Sequence, residues 1–304
     1  MQQVGFVILS HNQPQQLLRL VHCLERIYDK PPIVVHHDFS QSQIRLEDFP
    51  SDIKFVSPHV KTRWGRFSVV TAALRALELL YAIAEPKWFF LLSGADYPIM
   101  PARTVLDRLA ANEVDALLDY RAVPDIGTAS KLSLPDNPSL RCFASPSNSA
   151  KAWHRYVGLN IWFPIIRTGP RVGRYTLYLS RRAWISPFGP TFKCFYGDHW
   201  FAGNSKVASI LLNPTDKHFR LRRHLRLRDS PEECYYATVL ANTDGLRIST
   251  STGRFAMWTD GDAHPKLLGS SDVKAITQSK AYFARKFAPD SGVLDEIDRL
   301  LSRV

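Results

Sequence analysis

The chain has 304 residues, of which 45% are hydrophobic and 12% aromatic, so it can bury a large core and is not composed like a disordered protein. Its 39 Lys and Arg residues outnumber 28 Asp and Glu residues, which gives a formal net charge of +11 and favours anionic partners such as phosphates, nucleotides, nucleic acid or an acidic membrane surface. The 4 cysteines are far apart and include no Cys-x-x-Cys pair, so neither a zinc site nor a compact disulfide framework is indicated.

Strand and helix patterns alternate over about the first 120 residues. The predicted strands are 4–9, 33–35, 53–56, 88–92 and 115–120, and the predicted helices are 14–27, 67–83 and 103–109. This alternation is typical of a doubly wound, mainly parallel sheet, in which ligands bind beyond the carboxyl ends of the strands.

Polar side chains follow three of these strands, at 10–12, 37–38 and 93–97. We therefore expect these segments to face one cleft. Asp38 ends the second strand, where a carboxylate can reach the uracil or ribose of a nucleotide. His11 is a further donor-side candidate, although such a histidine more often caps or packs. Asp96 follows the apolar run of the fourth strand and is expected to face the cleft.

The second half of the chain is less regular. Residues 123–160 are rich in Pro, Ser and Asn, and we interpret them as a long loop that forms a flap over the site. Beyond residue 161, the patterns predict a strand at 175–180 and helices at 205–212, 230–241 and 293–304. No repeat, linker or low-complexity tract is present, so 1–304 is predicted to be one domain.

Apolar runs are too short to span a membrane, and the amino-terminal segment lacks the basic leader of a signal peptide. We therefore expect a cytoplasmic protein with reduced thiols.

Six segments carry a resemblance to a known family. They are VVHHD at 34–38, RWGRFSVVTAALRAL at 63–77, FFLLSGADYPI at 89–99, YGDHWFA at 196–202, SPEECYYATVLAN at 230–242 and YFARKF at 282–287. In this order they resemble motifs of the core-2/I-branching N-acetylglucosaminyltransferases and the xylosyltransferases, glycosyltransferase family fourteen. The resemblance extends over about residues 4–287, with no match in 120–190.

The resemblance implies a GT-A-like fold with a nucleotide-sugar-binding half at 1–120 and an acceptor-binding and catalytic half at 121–304. It implies an inverting, metal-independent transfer of N-acetylglucosamine or xylose from a UDP-sugar to a hydroxyl group of a glycan or glycolipid, with no cofactor. Animal members have a Golgi anchor and many cysteines, which this chain lacks, so we expect a bacterial-type cytoplasmic member. Its expected partners include an anionic membrane surface, which it would contact peripherally.

Glu233 is the general base that the resemblance implies, because an inverting transfer needs a carboxylate to accept the proton of the attacking hydroxyl. The same residues also form a capping-box pattern, Ser230-x-x-Glu233, with Pro231 at the first helical position. Glu232 is the neighbour that could be confused with the base.

Arg285 and Lys286 take the place of a metal ion in this resemblance and stabilise the departing diphosphate, although such a pair is commonly a solvated surface feature. Arg254 and Trp258 lie where the family has a second phosphate-contacting base and an aromatic residue. The predicted sugar pocket combines polar residues with tryptophans, for which core packing is the alternative role: Trp64, Asp96, Tyr97, Trp200 and Trp258.

Two other functions remain open from the sequence. Asp260 and Asp262, with His264 nearby, form an Asp-x-Asp pattern that could hold a metal ion in a metal-dependent transferase. The segment 217–229 is rich in Lys and Arg, which suits an acidic acceptor glycan, a lipid phosphate at a membrane, or a polyanion-binding protein without catalysis. No nucleic-acid-binding module is recognised, so we expect no nucleic acid partner.

Overall fold

A seven-stranded sheet is the centre of the fold in the computed structural model. The structure describes residues 3–123, 152–157, 159–160, 178–179, 186–258, 264–289 and 291–302. In chain order, the strands β1 to β14 are Val4–Ser10, Ile33–His37, Lys54–Phe55, Trp88–Ser93, Tyr97–Pro98, Ala116–Leu117, Tyr120–Ala122, Leu159–Asn160, Tyr178–Leu179, Phe195–Gly197, Ala202–Asn204, Ile248–Ser249, Arg254–Ala256 and Phe283–Arg285.

Helices lie between most of these strands. The helices α1 to α8 are Pro14–Tyr28, Phe67–Ile83, Ala102–Ala111, Ser205–Leu212, Asp216–Leu225, Glu232–Ala241, Val273–Gln278 and Gly292–Leu301. Two short 3-10 helices are Leu46–Asp48 and Ser270–Asp272, and Trp153–Val157 forms a π-helical turn. Over the part of the chain that is described, none of the helices has both the length and the apolar composition needed to cross a bilayer.

The strand order of the central sheet is β12-β6-β11-β4-β1-β2-β3. Strand β1 pairs in parallel with β2 and β4, whereas β11 is antiparallel to both of its neighbours, β4 and β6. The predicted α/β class, with a mainly parallel central sheet and a mixed second half, is confirmed. Strands β11 and β12 from the second half of the chain extend the sheet built by the first half, and β6 lies between them.

Both faces of this sheet are buried. Phe6 and Ile8 point into a core shared with α1, α3 and α8, whereas Val7, between them, points into a second core shared with α2, α4 and α6. Each of these three side chains is at most 1% exposed, and burial of a side chain of this size contributes about 2 kcal/mol. The continuous apolar run of the first strand therefore follows from having a helical layer on each side.

The predicted strand 115–120 is divided in the structure. Its first part is β6 in the central sheet, whereas β7 leaves that sheet and pairs antiparallel with β10, with Tyr120 opposite Gly197. Of the predicted strand at 175–180, the structure describes β9. Most of the predicted flap at 123–160 lies outside the described residues. The part of it that is described includes the π-helical turn Trp153–Val157.

A second, three-stranded sheet has the order β13-β14-β5. Strand β14 pairs antiparallel with β5, which directly follows the turn after β4, and Ala284 lies opposite Tyr97. Strand β13 pairs in parallel with β14, with Ala256 opposite Arg285. This sheet brings two late segments of the chain to the carboxyl end of β4.

Gly197 lies where two backbones approach closely. A Cβ atom at this position would lie 1.8 Å from the carbonyl oxygen of Asp119, whereas a Cβ atom at Gly189 would meet nothing within 4 Å. We predict that Gly197→Ala lowers the free energy of unfolding by about 2 kcal/mol or more, because the clash is with backbone. Gly189→Ala should change it by less than about 1 kcal/mol. Urea denaturation followed by circular dichroism measures both, and equal values for the two variants would contradict this account of β7 and β10.

Candidate active site

The turn after β4 folds a carboxylate back onto the end of its own strand. The backbone N–H of Ser93 donates to Asp96 Oδ2 at 2.9 Å, and the Ser93 hydroxyl donates to Asp96 Oδ1 at 3.2 Å. Asp96 is fully buried. The small polar residues after the apolar strand thus allow a tight turn that fixes this carboxylate in the interior.

Two arginines meet Asp96 from the second sheet. Arg254 Nε lies 3.5 Å from Asp96 Oδ2, and Arg285 Nε lies 3.3 Å from Asp96 Oδ1. The Arg254 side chain is 3% exposed, and its Nη2 donates to the carbonyl oxygen of Leu91 at 2.6 Å. Burial lowers the pKa of Arg254, and attraction to Asp96 opposes this shift. The arginines predicted to contact phosphate are therefore buried and held next to one carboxylate.

Both guanidinium groups retain hydrogen-bonding capacity. Arg254 Nε and Nη1 and Arg285 Nε have no hydrogen-bond partner among the described residues, although each arginine forms an ion pair with Asp96. The Arg285 guanidinium also stacks over the ring of Trp200 at 4.7 Å. Buried donors without acceptors are costly, so they indicate an acceptor-rich ligand at this position.

Asp198 is a second carboxylate in this group and is partly buried. Burial raises its pKa, whereas the positive charges of Arg254 and Arg285 oppose this shift. Its Oδ1 accepts the backbone N–H of Trp200 at 3.1 Å. The two arginines are thus balanced by two carboxylates, Asp96 and Asp198.

Lys286 adds a further positive charge at the edge of this group. Burial lowers its pKa, and repulsion by Arg285 lowers it further. Arg254 and Arg285 each form an ion pair with Asp96, whereas Lys286 forms none with a carboxylate of the described residues. The surplus charge of Lys286 is therefore available to an anionic ligand.

Glu233 lies at the start of α6 and contacts the π-helical turn. Its Oε2 accepts a hydrogen bond from Arg155 Nη1 at 2.9 Å and lies 3.1 Å from the Tyr156 hydroxyl. The same hydroxyl is 3.0 Å from the carbonyl oxygen of Ser230. Burial raises the pKa of Glu233, while Arg155 and Tyr156 oppose the shift. The carboxylate is therefore held in one orientation by two side chains.

The capping-box interpretation of this segment is wrong. Ser230 has a φ of 48°, Pro231 occupies the N-cap position, and the helix has no side-chain capping bond. The left-handed backbone at Ser230 takes its hydroxyl out of the capping geometry, and the Glu233 side chain is directed to Arg155 instead.

Glu232 has a different environment from its neighbour. It is 7% exposed, and its Oε2 has no hydrogen-bond partner among the described residues. Burial raises the pKa of Glu232 to about 7. The Glu233 side chain, in contrast, is 40% exposed. Of the two carboxylates, Glu233 is the one that solvent, and hence an acceptor, can reach.

Asp198 links the two parts of the site. Its carboxylate interacts electrostatically with Arg254 and Arg285 on one side and with Glu233 on the other. The two arginines and the candidate base therefore both lie within electrostatic reach of Asp198.

His11 and Asp38 directly follow β1 and β2, at the carboxyl ends of these two parallel strands. Burial lowers the pKa of His11, and the charges of Asp38 and Lys286 act on it in opposite directions. Asp38 is buried, and both of its oxygens accept hydrogen bonds, from Ser40, Gln41 and Thr62. Burial opposes ionisation, but these bonds outweigh it and hold the pKa of Asp38 well below its usual range. In this structure Asp38 joins the loop after β2 to the segment before α2.

The aromatic residues predicted for the sugar pocket have different surroundings. Trp64 is 71% exposed, and its ring lies 5.7 Å from the ring of His264. The pKa of His264 is lowered, mainly by burial and also by the positive charges of Lys286 and Arg285. Trp64 therefore lies near the basic group. Trp258 is 42% exposed, and Trp200 lies beneath Arg285.

Tyr97 is a correction to the predicted pocket. Its side chain is fully buried in the core next to α8, where its hydroxyl donates to Asp298 Oδ1 at 2.9 Å and its ring contacts Phe287 at 6.2 Å. Asp298 in turn binds Arg19 Nη2 at 2.7 Å. Tyr97 thus packs the carboxyl-terminal helix against α1, because the residue after a tight turn alternates to the opposite side of the chain from Asp96.

Several site residues were not assigned from the sequence. Asp198 lies within the quoted YGDHWFA segment, so its position directly before two aromatic residues was an available signal. Arg155 and Tyr156 lie in the stretch interpreted as a loop, where no periodic pattern marks them. Asp260 and Asp262 lie outside the described residues. Among the residues that are described, no group of three or more His, Cys, Asp or Glu side chains could hold a metal ion.

The chain is similar to two curated glycosyltransferases. Beta-glucuronosyltransferase GlcAT14A of Arabidopsis thaliana is 27% identical over 296 residues, which cover 89% of this chain and 58% of that protein. Beta-glucuronosyltransferase GlcAT14B of the same plant is 30% identical over 148 residues, 45% of this chain and 34% of that protein. The matches thus span little more than half, and about a third, of the relatives' lengths. Both are glycosyltransferases, but their names specify glucuronosyl rather than N-acetylglucosaminyl or xylosyl transfer.

The other comparisons add little. No family model matches the chain. The bifunctional IspDF of Campylobacter jejuni is 13% identical, with a TM-score of 0.30 over 72% of this chain and 46% of that one. The 4-diphosphocytidyl-2C-methyl-D-erythritol synthase of Anaerococcus prevotii is 11% identical, with a TM-score of 0.31 over 73% of this chain and 84% of that one. TM-scores of this size carry no argument about function.

The buried carboxyl of Glu232 generates a prediction about stability. Its folded-state pKa of about 7 exceeds the ordinary value of 4.5, so ionisation opposes folding and stability is lost as the pH rises through this range. Glu232→Gln remains neutral throughout. We compare the free energy of unfolding of Glu232→Gln with that of wild type at each pH. We predict that the variant's advantage increases by about 2 kcal/mol between about pH 5 and pH 8.

Urea denaturation at the two pH values measures this difference. Glu113→Gln is the matched control, because the Glu113 side chain is 88% exposed and should show no such pH dependence. The assignment fails if both variants follow the wild type equally at each pH.

Proposed function

We propose that this chain is an inverting glycosyltransferase that moves a sugar from a UDP-sugar to a hydroxyl group of a glycan or glycolipid without a metal ion. Glu233 is the general base, and Arg254, Arg285 and Lys286 bind the diphosphate. The similarity to two glycosyltransferases supports the reaction class. The observation that carries the proposal is the pair of arginines on Asp96, with side chains 3% and 12% exposed and with unused donors, within electrostatic reach of Asp198, whose charge also acts on the partly exposed Glu233.

The buried arginines suit a diphosphate. A guanidinium group donates in a fixed planar fork that matches phosphate oxygens, and here Arg254 and Arg285 are already oriented by Asp96. Three nitrogen atoms lack an acceptor among the described residues, namely Arg254 Nε, Arg254 Nη1 and Arg285 Nε. A UDP diphosphate would supply acceptors for these atoms. Lys286 supplies the charge that the two aspartates do not balance.

The reaction follows from this arrangement. The acceptor hydroxyl attacks the anomeric carbon from the side opposite the diphosphate, and its proton passes to Glu233 as the new glycosidic bond forms. The bond between the anomeric carbon and the phosphate oxygen breaks, and its electron pair stays on the β-phosphate. Positive groups that are in place before this charge develops stabilise the transition state most effectively.

Arg155 and Tyr156 act on the base as positioning residues. They hold Glu233 Oε2 by contacts of 2.9 and 3.1 Å, which limits the orientations of the carboxylate. Their effect on the pKa of Glu233 opposes that of burial, which keeps the carboxylate available as a base while it is partly removed from water.

His11 and the loop fixed by Asp38 would lie at the nucleoside, and Trp64, Trp200 and Trp258 would flank the sugars. Asp38 orders the loop through its five hydrogen bonds to Ser40, Gln41 and Thr62, so we assign it an indirect role at the nucleoside. Trp64 has an exposed ring near His264, which suits stacking on a sugar.

The donor sugar is the least constrained part of the proposal. The sequence motifs favour UDP-N-acetylglucosamine or UDP-xylose, whereas the names of the relatives favour UDP-glucuronic acid. A thermal-shift screen of these three donors compares them directly, because a ligand at a hundred times its Kd stabilises the fold by about 2.7 kcal/mol. Product analysis with the donor that stabilises most then tests the transfer.

Glu233→Gln tests the base. The amide cannot accept the proton, so turnover should fall about a hundredfold or more, while the Kd for UDP should remain near the wild-type value. Glu232→Gln is the control, measured at about pH 6.5, and should retain turnover because its side chain is turned into the interior. Steady-state kinetics and calorimetry with UDP measure both variants. A large loss in Glu232→Gln with little loss in Glu233→Gln would refute the assignment.

Lys286→Ala tests the diphosphate site and, if assayed in EDTA, the absence of a metal requirement. UDP affinity should fall, and turnover should fall by a larger factor, because the charge on the β-phosphate grows in the transition state. Arg285→Lys should weaken both, since a point charge cannot replace the fork. Lys274→Ala, on the exposed side of α7, is the control. Unchanged UDP affinity in the Lys286 and Arg285 variants, or wild-type activity that disappears in EDTA, would contradict the proposal.

A further inference from the structure

Helix α5 divides into a buried and an exposed side. His218, Leu221 and Leu225 are buried. At about 100° per residue, the exposed residues of the helix and of the turn after it, Asp216 included and Lys217 excepted, lie within a sector of about 120° on the opposite side. We call this sector the basic face, and it consists of Phe219, Arg220, Arg223, Arg226 and Leu227.

We propose that the basic face binds the surface of a bilayer that contains anionic phospholipids. Its three arginines are exposed, and Asp216, at the start of the helix, is the acidic residue that shares their sector. The arginines attract the negative surface potential of such a bilayer, and each basic residue near the surface strengthens binding about fivefold.

The arginines of the basic face differ from other exposed arginines of the chain. Arg45 is paired with Glu47, Arg103 with Asp107 and Arg247 with Glu113. None of the three arginines of the basic face forms an ion pair with a carboxylate of the described residues; Arg226 instead lies over the ring of Phe67 at 5.9 Å. The neighbouring Arg222 is turned inward and donates to the Tyr235 hydroxyl at 2.8 Å. The basic face therefore carries three arginines against one acidic residue, Asp216, and none of these arginines is held in an ion pair with a carboxylate of the described residues.

Two large apolar side chains distinguish a bilayer from a nucleic acid as the partner. Phe219 is 52% exposed and Leu227 is 76% exposed, and both lie between arginines on the basic face. Exposed aromatic and aliphatic groups among cations are typical of helices that lie in the interface of a membrane, where the apolar groups enter the boundary of the acyl chains. The charged phosphates of a nucleic acid backbone would not pack against the apolar side chain of Leu227.

The position of the basic face gives the contact a function. The Arg222–Tyr235 hydrogen bond attaches α5 to α6, the helix that begins with Glu232 and Glu233. A bilayer bound at α5 would therefore lie beside the end of the site that holds the base. This places the acceptor, under the proposed function, among sugars linked to lipids at that surface.

Sedimentation with lipid vesicles tests the contact on the full chain. Vesicles of phosphatidylcholine with about 30% phosphatidylglycerol should bind the wild type, and vesicles of phosphatidylcholine alone should bind it at least tenfold more weakly. Arg220→Gln with Arg223→Gln should lower binding to the anionic vesicles at least tenfold. Phe219→Ser with Leu227→Ser should lower it about tenfold, with circular dichroism to verify that each variant is folded.

Arg45→Gln with Arg103→Gln is the matched control, because it removes the same charge from exposed positions elsewhere. An equal loss of binding in this control would show a general effect of net charge and overturn the proposal. So would unchanged vesicle binding in the Phe219 and Leu227 variant, or tighter binding to a single-stranded polynucleotide than to the vesicles. Glu233→Gln should bind the vesicles like wild type, so a failure of the proposed reaction and a failure of this surface are distinguishable.

Discussion

The buried carboxylate of Asp96 is the interaction on which the arrangement of the site depends. Without it, Arg254 and Arg285 would be two like charges removed from water next to each other, which is strongly unfavourable. With it, the turn after β4 and the sheet of β13 and β14 are held together by charge as well as by backbone pairing. Because one carboxylate serves two guanidinium groups, neither is satisfied completely, and donors remain for a ligand. Stability and binding capacity therefore have the same origin.

The two adjacent glutamates show how one helix start produces two kinds of carboxyl group. Glu232 is turned inward, and burial without a hydrogen-bond partner for Oε2 in the described structure raises its pKa to about 7. Glu233 is turned outward to Arg155 and Tyr156, which oppose the effect of burial. The left-handed residue Ser230 and the N-cap Pro231 set this division, because they fix where the first turn of α6 begins. A shift by one residue would exchange the environments of the two carboxyl groups.

Local patterns were sufficient to predict most of the central sheet, because its strands are continuous apolar runs and its helices have regular spacing. The predicted helix 67–83 agrees with α2 at both ends. Motifs marked Asp96 and Glu233 as candidate site residues, and their roles stay predictions. It was not predictable where distant segments meet: Arg254 reaches Leu91 through the pairing of β13 with β14, and Tyr156 reaches Glu233 from a stretch without periodicity. Tyr97 was assigned to the wrong side because a motif gives proximity in sequence but not side-chain direction.

Charge distribution connects the interior of the site with its surface. Inside, Arg254 and Arg285 are balanced by Asp96 and Asp198, so this group avoids a large net charge away from water, and Lys286 supplies the excess at the edge. On the surface, the three arginines of the basic face share their sector with one acidic residue, Asp216, and form no ion pair with a carboxylate of the described residues. The net charge of +11 is thus not spread evenly: part of it lies at Arg254, Arg285 and Lys286, which we propose bind a diphosphate, and part on the basic face, next to the helix that carries the proposed base. Both locations select for anions, but the first is fixed by buried partners and the second is free to adapt to a fluid surface.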